Sequence, residues 1–152
     1  MNEVTIIPTI YDHIGQLVES LREDDIRECE SFSVTPFKGI WRSYRNSEFA
    51  RTGFINGKIA SIWGIKKSVL KFIGNPWLMT SDIVDDYPFI FARVYRQELK
   101  KMLERYEILE TWCDKDYAKS MRLLKIVGFK EDGFFPCDKN GRSLVRFKMD
   151  KS

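Results

Sequence analysis

The chain has 152 residues, of which 43% are hydrophobic and 14% aromatic, a size and apolar content typical of one domain with a buried core. Its 25 basic and 22 acidic residues are interspersed, and the formal net charge of +3 argues against the strong cationic field of a general nucleic-acid binder. We therefore expect a single domain over residues 1–152 and do not expect nucleic acid as its partner.

Membrane insertion and secretion have no support in the sequence. The apolar runs Ile59–Ile65 and Phe89–Val94 fall far short of the roughly 20 residues that a helix needs to cross a bilayer. The first residues also lack the basic and then apolar arrangement of a signal peptide. We therefore expect a soluble protein of the cytoplasm without a membrane span.

The cysteines and the histidine are too scattered for a disulfide framework or a metal site. Cys29, Cys113 and Cys137 are odd in number and form no CxxC pair, and His13 is the only histidine. Reduced thiols are expected, as is typical of a cytosolic protein. His13 is expected to be a partly exposed structural residue of the first helix and not a metal ligand.

The first part of the chain predicts a strand followed by helices. The run Val4–Ile7 is β-rich, and apolar residues then recur at helical spacing from Ile10 to Leu21. The hydroxyl of Thr9 is the expected cap of that helix, and Ile26 fits its continuation. A second helix is predicted at Phe37–Tyr44.

A β-hairpin follows. The β-rich runs Phe49–Ile55 and Lys58–Ile65 are joined by an Asn-Gly pair, which adopts positive φ readily and is the strongest short hairpin signal. Residues 74–76, Gly-Asn-Pro, predict a turn into a further short strand at Trp77–Thr80.

The last part of the chain alternates strands and helices. A proline at position 88 suits the first turn of a long amphipathic helix, and a glycine at position 128 suits the end of the last helix. The predicted elements are helix Phe89–Tyr106, strand Ile108–Cys113, helix Asp116–Val127, and a closing hairpin of Phe129–Phe135 and Leu144–Met149 around Lys139, Asn140 and Gly141.

The order of these elements defines the fold class. An antiparallel first half is followed by a β-α-β crossover and a closing hairpin. We therefore predict an α/β (α+β) fold, in which about four helices flank a mixed, mostly antiparallel central sheet.

This order resembles the GNAT superfamily of acyl-CoA N-acyltransferases. The segment Ala118–Phe129 is similar to the characteristic last helix of that family, which runs into a Gly-Phe strand start. Residues 56–60, 74–82 and 121–128 resemble GNAT-like proteins of tailed phages, which include small internal virion proteins of short-tailed phages. The resemblance implies a GNAT-like fold for nearly the whole chain.

The cofactor loop of active GNAT enzymes has no clear counterpart. In those enzymes a Q/R-x-x-G-x-G/A loop after the fourth strand offers backbone N–H groups to the pyrophosphate of acetyl-CoA. The corresponding residues here, 80–88, contain no glycine and three acidic residues, Asp82, Asp85 and Asp86. Carboxylates repel a pyrophosphate unless a cation intervenes, so binding of acetyl-CoA by the family mode is not assured.

Four residues are candidates for contacting a cofactor. Thr80 and Ser81 lie at the end of the predicted strand, and Arg93 and Arg96 lie about one turn inside the following helix. The arginines could partly neutralise a phosphate, or they could simply be solvated cations on an exposed helix face. Acetyl-CoA is the cofactor that the resemblance suggests, and the sequence does not establish that it binds.

The catalytic residues are equally open. Many GNAT enzymes place a proton-donating tyrosine four residues before the glycine that ends the last helix, and Leu124 occupies that position here. Tyr117 would act only in a rearranged mechanism and otherwise packs as an aromatic side chain. Candidate general bases are Asp82, Glu110 and Glu48, each of which also suits a capping or solvated role.

One further cluster is a candidate for binding a partner. Trp41, Arg42, Tyr44 and Arg45 interleave aromatic and cationic side chains. Such a pattern can stack a base or another ligand. Alternatively, Trp41 and Tyr44 face the core of the protein, since residues three apart share one face of a helix.

Three functional hypotheses follow. The leading one is a phage accessory, internal-virion or assembly protein that uses a GNAT fold with a degenerate acetyl-CoA site as an interaction module for a virion or host protein. The alternative is an active acetyl-CoA-dependent N-acyltransferase with a divergent pyrophosphate loop. A third is an inhibitor of a host protein or a protein that contacts nucleic acid.

Overall fold

The computed structural model describes residues 1–32, 34–135 and 141–151. Within them the chain forms seven strands, five α-helices and one short 3-10 helix. In chain order these are β1 (Val4–Pro8), α1 (Tyr11–Val18), α2 (Glu23–Ser31), α3 (Pro36–Arg45), β2 (Ser47–Ile55), β3 (Lys58–Lys66), β4 (Ile73–Thr80), the 3-10 helix (Asp82–Asp85), α4 (Pro88–Met102), β5 (Ile108–Asp114), α5 (Ala118–Val127), β6 (Lys130–Phe135) and β7 (Leu144–Asp150).

The strands form a seven-stranded sheet in the order β1-β2-β3-β4-β5-β7-β6. Strand β2 pairs antiparallel with β1 and with β3, and β7 pairs antiparallel with β5 and with β6. The pairing of β4 with β5 is parallel, as expected for strands joined by a helical crossover. The prediction of a mixed, mostly antiparallel sheet flanked by helices is therefore confirmed.

The chain divides into two compact units. The first comprises Met1–Lys67 and Trp77–Pro88, and the second comprises Ser68–Pro76 and Phe89–Ser152. Strand β4 contributes its first half to the second unit and its second half to the first. The expectation of a single domain over residues 1–152 stays a prediction.

The core of the first unit forms beneath α1 and α3. The apolar side chains of α1 recur every three or four residues, and this stripe is buried against aliphatic and aromatic side chains of the unit. The buried members of the cluster are Ile14, Leu17, Leu21, Ile40, Ile62 and Trp77.

The first helix is shorter than the spacing of its apolar residues predicts. Helix α1 ends at Val18, and a separate helix α2 begins at Glu23. Between them Leu21 forms an isolated antiparallel bridge with Ser81, and the N–H of Arg22 donates to the carbonyl of Thr80 at 2.9 Å. The prediction that Ile10 to Leu21 form one continuous helix was wrong, because the backbone leaves the helix to pair with the end of β4.

The predictions for Thr9 and His13 were also wrong. Ile10, not Thr9, is the N-cap of α1, and the hydroxyl of Thr9 accepts a hydrogen bond from Thr52 Oγ1 at 3.0 Å. His13 is only 4% exposed, and its Nδ1 accepts from the N–H of Ile10 at 3.2 Å and lies 2.8 Å from Thr52 Oγ1. Burial lowers the pKa of His13, although Asp12 acts in the opposite direction.

The predicted β2–β3 hairpin is confirmed. Ile55 pairs with Lys58, and both intervening residues have positive φ, 51° at Asn56 and 80° at Gly57. These are the values that an Asn-Gly pair tolerates in a tight hairpin turn.

In the second unit, the predicted turn at residues 74–76 was wrong because these residues belong to β4. Gly74 pairs with Leu109 of β5, and the side-chain amide of Asn75 donates to the carbonyl of Glu110 at 3.2 Å. This side-chain bond continues the attachment of β4 to β5 where the backbone pairing stops.

The helices of the second unit start and stop near their expected residues. Helix α4 begins at Pro88 but ends at Met102, four residues before the predicted end at Tyr106. Helix α5 begins after Tyr117, and Gly128 ends it with a φ of 115°.

Part of the closing hairpin cannot be compared with the prediction. Strands β6 and β7 are present, whereas Lys139 and Asn140 of the predicted turn lie outside the described residues, as does Cys137. The other two cysteines, Cys29 and Cys113, are buried free thiols. No helix in the described part of the chain is long and apolar enough to cross a membrane.

Candidate functional site

The segment between β4 and α4 is closed by its own backbone hydrogen bonds. The N–H of Ser81 donates to the carbonyl of Ala60 at 2.8 Å, and the N–H of Asp82 donates to the carbonyl of Ser20 at 3.0 Å. These two N–H groups are therefore hydrogen-bonded to β3 and to the segment between α1 and α2. Neither N–H is available to an anion without loss of a protein hydrogen bond.

The 3-10 helix uses further donors of this segment. The N–H groups of Val84, Asp86 and Tyr87 donate to the carbonyls of Ser81, Ile83 and Val84 at 3.3, 3.0 and 3.3 Å. Such bonds between residues three positions apart turn the N–H groups toward their own chain. The backbone here is a compact turn and not an open cradle of N–H groups.

Two hydroxyl groups of the segment are buried inside the first unit. Thr80 is 2% exposed and Ser81 is fully buried. Thr80 Oγ1 donates to Asp25 Oδ2 at 2.9 Å, and Ser81 Oγ donates to the carbonyl of Ile59 at 2.8 Å. Ser81 precedes the 3-10 helix but makes no side-chain capping bond.

A buried arginine and a carboxylate hold this segment to α2. Arg22 is 8% exposed, its guanidinium donates to Thr80 Oγ1 at 3.3 Å, and one of its nitrogens lies 3.5 Å from Asp85 Oδ1. Asp25 Oδ2 also accepts from the backbone N–H of Thr80 at 2.7 Å. Arg22 Nε is buried with no acceptor in the described part of the chain, which is an energetically costly position for a charged group.

The charge state of Asp25 depends on pH near neutrality. Burial raises the pKa of Asp25 to about 6, although the hydrogen bonds from Thr80 and the positive charge of Arg22 act in the opposite direction. The carboxylate that fixes the end of β4 is therefore protonated in mild acid.

Sequence reasoning missed the cluster of Arg22, Asp25 and Thr80. The residues Arg22 to Asp25 look like the acidic first turn of an ordinary helix. Their partner Thr80 is 55 residues away from Asp25 in the chain, and no local sequence pattern predicts the contact between them. Only the chain reversal around Leu21 brings the groups together.

Comparison with known proteins decides the fold. The sequence matches no protein-family model and no curated protein. An acetyltransferase of the GNAT family from Bacillus anthracis nevertheless has a similar structure, with a TM-score of 0.75 at 9% sequence identity, covering 97% of this chain and 94% of that chain. The chain has the GNAT fold.

Two further GNAT-fold structures were solved with a cofactor or its product. The yncA protein from Salmonella typhimurium, with its cofactor acetyl-CoA, has a TM-score of 0.66 at 11% identity over 98% of this chain and 94% of that chain. The protein AAC(6')-Ib in complex with ribostamycin and coenzyme A has a TM-score of 0.73 at 11% identity over 98% of this chain and 94% of that chain. At such identities the similarity establishes the GNAT fold alone.

The predicted cofactor-contacting arginines differ in their surroundings within the second unit. Both Arg93 and Arg96 are exposed on α4. The guanidinium of Arg96 donates to the carbonyls of Ile126 and Val127, at 3.4 Å for the latter. These carbonyls lie at the C-terminal end of α5, where a cation is favourable. Arg96 thus has a structural role, and a role for either arginine in binding a phosphate stays a prediction.

The predicted catalytic residues are placed as follows. Asp82 is exposed at the start of the 3-10 helix, beside Thr80 and Ser81 in the first unit. Glu110 is partly buried in β5 opposite Lys148. Tyr117 is the buried N-cap residue of α5. Their catalytic roles stay predictions, and in the described residues no three side chains of His, Cys, Asp or Glu form a group that suits a metal ion.

Proposed function

We propose that this protein uses the GNAT fold as an interaction module and that residues 80–88 do not bind the pyrophosphate of acetyl-CoA. The observation that carries this proposal is the commitment of backbone N–H groups in this segment, at residues 81, 82, 84, 86 and 87, to carbonyls of the protein. A phosphate-binding loop requires such groups to be free and converging. The sequence adds three exposed carboxylates and no glycine to the same segment.

We base the proposed assembly on the resemblance of the sequence to phage proteins. Residues 74–82 are similar to GNAT-like proteins of tailed phages, and they form most of β4 and its end in this structure. We therefore propose an accessory, internal-virion or assembly protein of a tailed phage, with a virion or host protein as its partner. It would reside in the host cytoplasm or in the particle.

The second candidate is an acetyl-CoA-dependent N-acyltransferase with a divergent loop. It is favoured by the GNAT-fold structures that contain acetyl-CoA or coenzyme A. The start of α4 at Pro88 supplies a helix N-terminus without an acidic residue in its first turn. The N–H groups there would be the alternative donors to a phosphate.

Titration with acetyl-CoA separates the two candidates. We expect no saturable heat in calorimetry and no shift of the thermal midpoint, because the N–H groups of residues 80, 81, 82, 84, 86 and 87 already donate to acceptors of the protein. Saturable binding in the micromolar range that Arg93→Ala abolishes would overturn the interaction-module proposal. Arg93→Ala is the cleaner variant, since Arg96→Ala also removes the bonds to the carbonyls of α5.

The proposed phage role has a separate test. Mass spectrometry of purified particles and assembly intermediates of the encoding phage is expected to detect the protein at a reproducible ratio to a structural protein of the particle. A host protein of similar abundance provides the background level. Persistent absence from both fractions would contradict a virion or assembly role and leave the result with acetyl-CoA unaffected.

A further inference from the structure

One surface of the first unit combines aromatic and basic side chains. It is built by α1 and α3, and we call it the aromatic–basic face. It consists of Tyr11, Phe37, Lys38, Trp41, Arg42 and Arg45. Successive residues of an α-helix are rotated by about 100°, so the aromatic and basic residues of α3 form two adjacent stripes along it.

The aromatic part of this face is a packed cluster that stays open to solvent. Tyr11 is 56% exposed, and its ring centroid lies 5.4 Å from that of Phe37 and 5.2 Å from that of Trp41. The interplanar angles of 68° and 82° show edge-to-face contacts, which are favourable for aromatic pairs. The rings are thus held in place before any partner binds.

The neighbouring Tyr44 fixes the face to the rest of the unit. Its hydroxyl donates to the carbonyl of Thr9 at 3.3 Å, and its ring lies 5.9 Å from that of Trp41. The sequence grouped Tyr44 with the possible contact residues. In the structure Tyr44 instead anchors the face to the rest of the unit. Tyr11 and Phe37, which the sequence did not suggest, belong to the aromatic cluster.

The positive charge of the face has no carboxylate partner among the residues that the structure describes. Lys38, Arg42 and Arg45 are exposed, and none of them forms a salt bridge with a carboxylate in residues 1–32, 34–135 or 141–151. Helix α3 itself contains no acidic residue. The guanidinium of Arg45 instead lies 5.6 Å from the centroid of the Trp41 ring.

The chemistry of this face selects a protein partner over a nucleic acid. Stacking of bases requires open ring faces, whereas here Tyr11 packs edge-to-face on Trp41 and Arg45 covers the Trp41 ring. Three cations also make a small footprint for a phosphate backbone. Tryptophan, tyrosine and arginine are the residues that most often dominate the binding energy of protein interfaces.

We infer that the aromatic–basic face docks an acidic protein segment in which carboxylates flank an apolar or aromatic side chain. The carboxylates pair with Lys38, Arg42 and Arg45, and the apolar side chain packs against Tyr11 and Trp41. This inference rests on the proposed role as an interaction module and names the class of its partner.

The test uses a short synthetic peptide in which glutamates flank leucines and a central phenylalanine. Its binding to the full chain is measured by fluorescence anisotropy at low and at physiological salt. We expect saturable binding that weakens with salt, and a loss of about tenfold or more in affinity for the variant Lys38→Glu/Arg42→Glu/Arg45→Glu. Trp41→Phe is expected to weaken binding while retaining the charge of the face.

Matched controls distinguish a specific face from general electrostatics. The variant Lys58→Glu/Lys100→Glu/Arg122→Glu changes the net charge equally at exposed positions outside the face and is expected to bind the peptide with an affinity close to that of the unaltered chain. Circular dichroism checks that each variant folds. Equal losses in both triple variants would overturn the inference.

The remaining outcomes concern the partner class. A peptide with glutamine in place of every glutamate is expected not to bind, and an oligo-dT of matched length is expected to bind more weakly than the acidic peptide. Preference for oligo-dT, or no binding of the acidic peptide, would overturn the inference. Titration of the same samples with acetyl-CoA distinguishes failure of this inference from failure of the proposed function, because binding of acetyl-CoA tests the proposed function and is independent of the peptide.

Discussion

Replacement of Asp25 by asparagine is expected to raise the free energy of unfolding by about 2–3 kcal/mol at pH 8 and to leave it nearly unchanged at pH 4. The side chain of Asp25 accepts two hydrogen bonds from Thr80, through the backbone N–H and the hydroxyl. An asparagine carbonyl can accept both. The substitution therefore removes the cost of burying a negative charge while it keeps the contacts that fix the end of β4.

The sign of this effect follows from the proton balance. The pKa of Asp25 rises from 3.8 to about 6 on folding because burial disfavours the carboxylate. The folded protein therefore binds more protons than the unfolded chain between these values, and this group's contribution to stability is complete below pH 3.8 and is lost as the pH rises through 6. A difference of about 2 units corresponds to about 3 kcal/mol, and the attraction of Arg22 for the carboxylate is already included in it.

Urea unfolding of the two proteins from pH 4 to pH 8 measures the effect. His13 has a lowered pKa and contributes the opposite slope, in which stability is lost as the pH falls, but this slope cancels in the difference between the proteins. Asp86→Asn alters an exposed carboxylate of the same segment and is expected to change the free energy of unfolding by less than about 0.5 kcal/mol throughout. If the free energies of unfolding of Asp25→Asn and of the unaltered protein differ by the same amount at every pH, or if Asp25→Asn is the less stable at pH 8, the assigned burial of this carboxylate is contradicted.

Local patterns were sufficient to predict most of the fold. The Asn-Gly turn at residues 56–57, the proline at the start of α4 and the glycine at the end of α5 are signals that act within a few residues, and each was read correctly. Errors arose where tertiary pairing overrides helical periodicity. Leu21 fits the apolar stripe of α1, yet its backbone pairs with Ser81, and the helix is interrupted there.

The candidate site was less predictable than the fold because its contacts are distant in sequence. The absence of glycine from residues 80–88 is visible in the sequence, whereas the acceptors of their N–H groups are not, since two of them, Ala60 and Ser20, belong to other parts of the chain. The sequence likewise suggested Thr80 and Ser81 as candidate cofactor contacts at a strand end. Their hydroxyl groups are hydrogen-bonded to Asp25 and to the carbonyl of Ile59, residues that lie close to them only in the folded chain.

The occupied N–H groups of residues 81, 82, 84, 86 and 87 and the aromatic–basic face both support the proposed interaction module. In that proposal residues 80–88 need not bind a phosphate, and internal bonds of the 3-10 helix and of the cluster of Arg22, Asp25 and Thr80 stabilise the segment. The aromatic–basic face lies on α1 and α3 and does not depend on those donors. The proposed docking of a protein partner on this face therefore does not require acyl transfer.

Gly64 of β3 is expected to be the least tolerant of the glycines in the first unit. A Cβ atom at this position would lie 2.6 Å from the backbone carbonyl oxygen of Phe49 and 2.9 Å from Trp77 Nε1. The carbonyl belongs to the paired strand β2, and the indole donates to Ser47 Oγ at 2.7 Å, so neither neighbour can move without breaking a contact. Gly64→Ala is therefore expected to cost about 3 kcal/mol through overpacking and loss of the indole hydrogen bond.

The matched control is Gly15→Ala in α1, where no atom outside the adjacent residues and the surrounding helix backbone lies within 4 Å of the added Cβ. Because alanine favours a helix over glycine, this variant is expected to gain about 0.5–1 kcal/mol. Urea unfolding gives both values, and near-ultraviolet circular dichroism reports the surroundings of Trp77. In a Trp77→Phe background the cost of Gly64→Ala is expected to fall but not to vanish, because the contact with the Phe49 carbonyl remains. An unchanged cost there would place the whole effect on the β2–β3 backbone and remove Trp77 from the explanation.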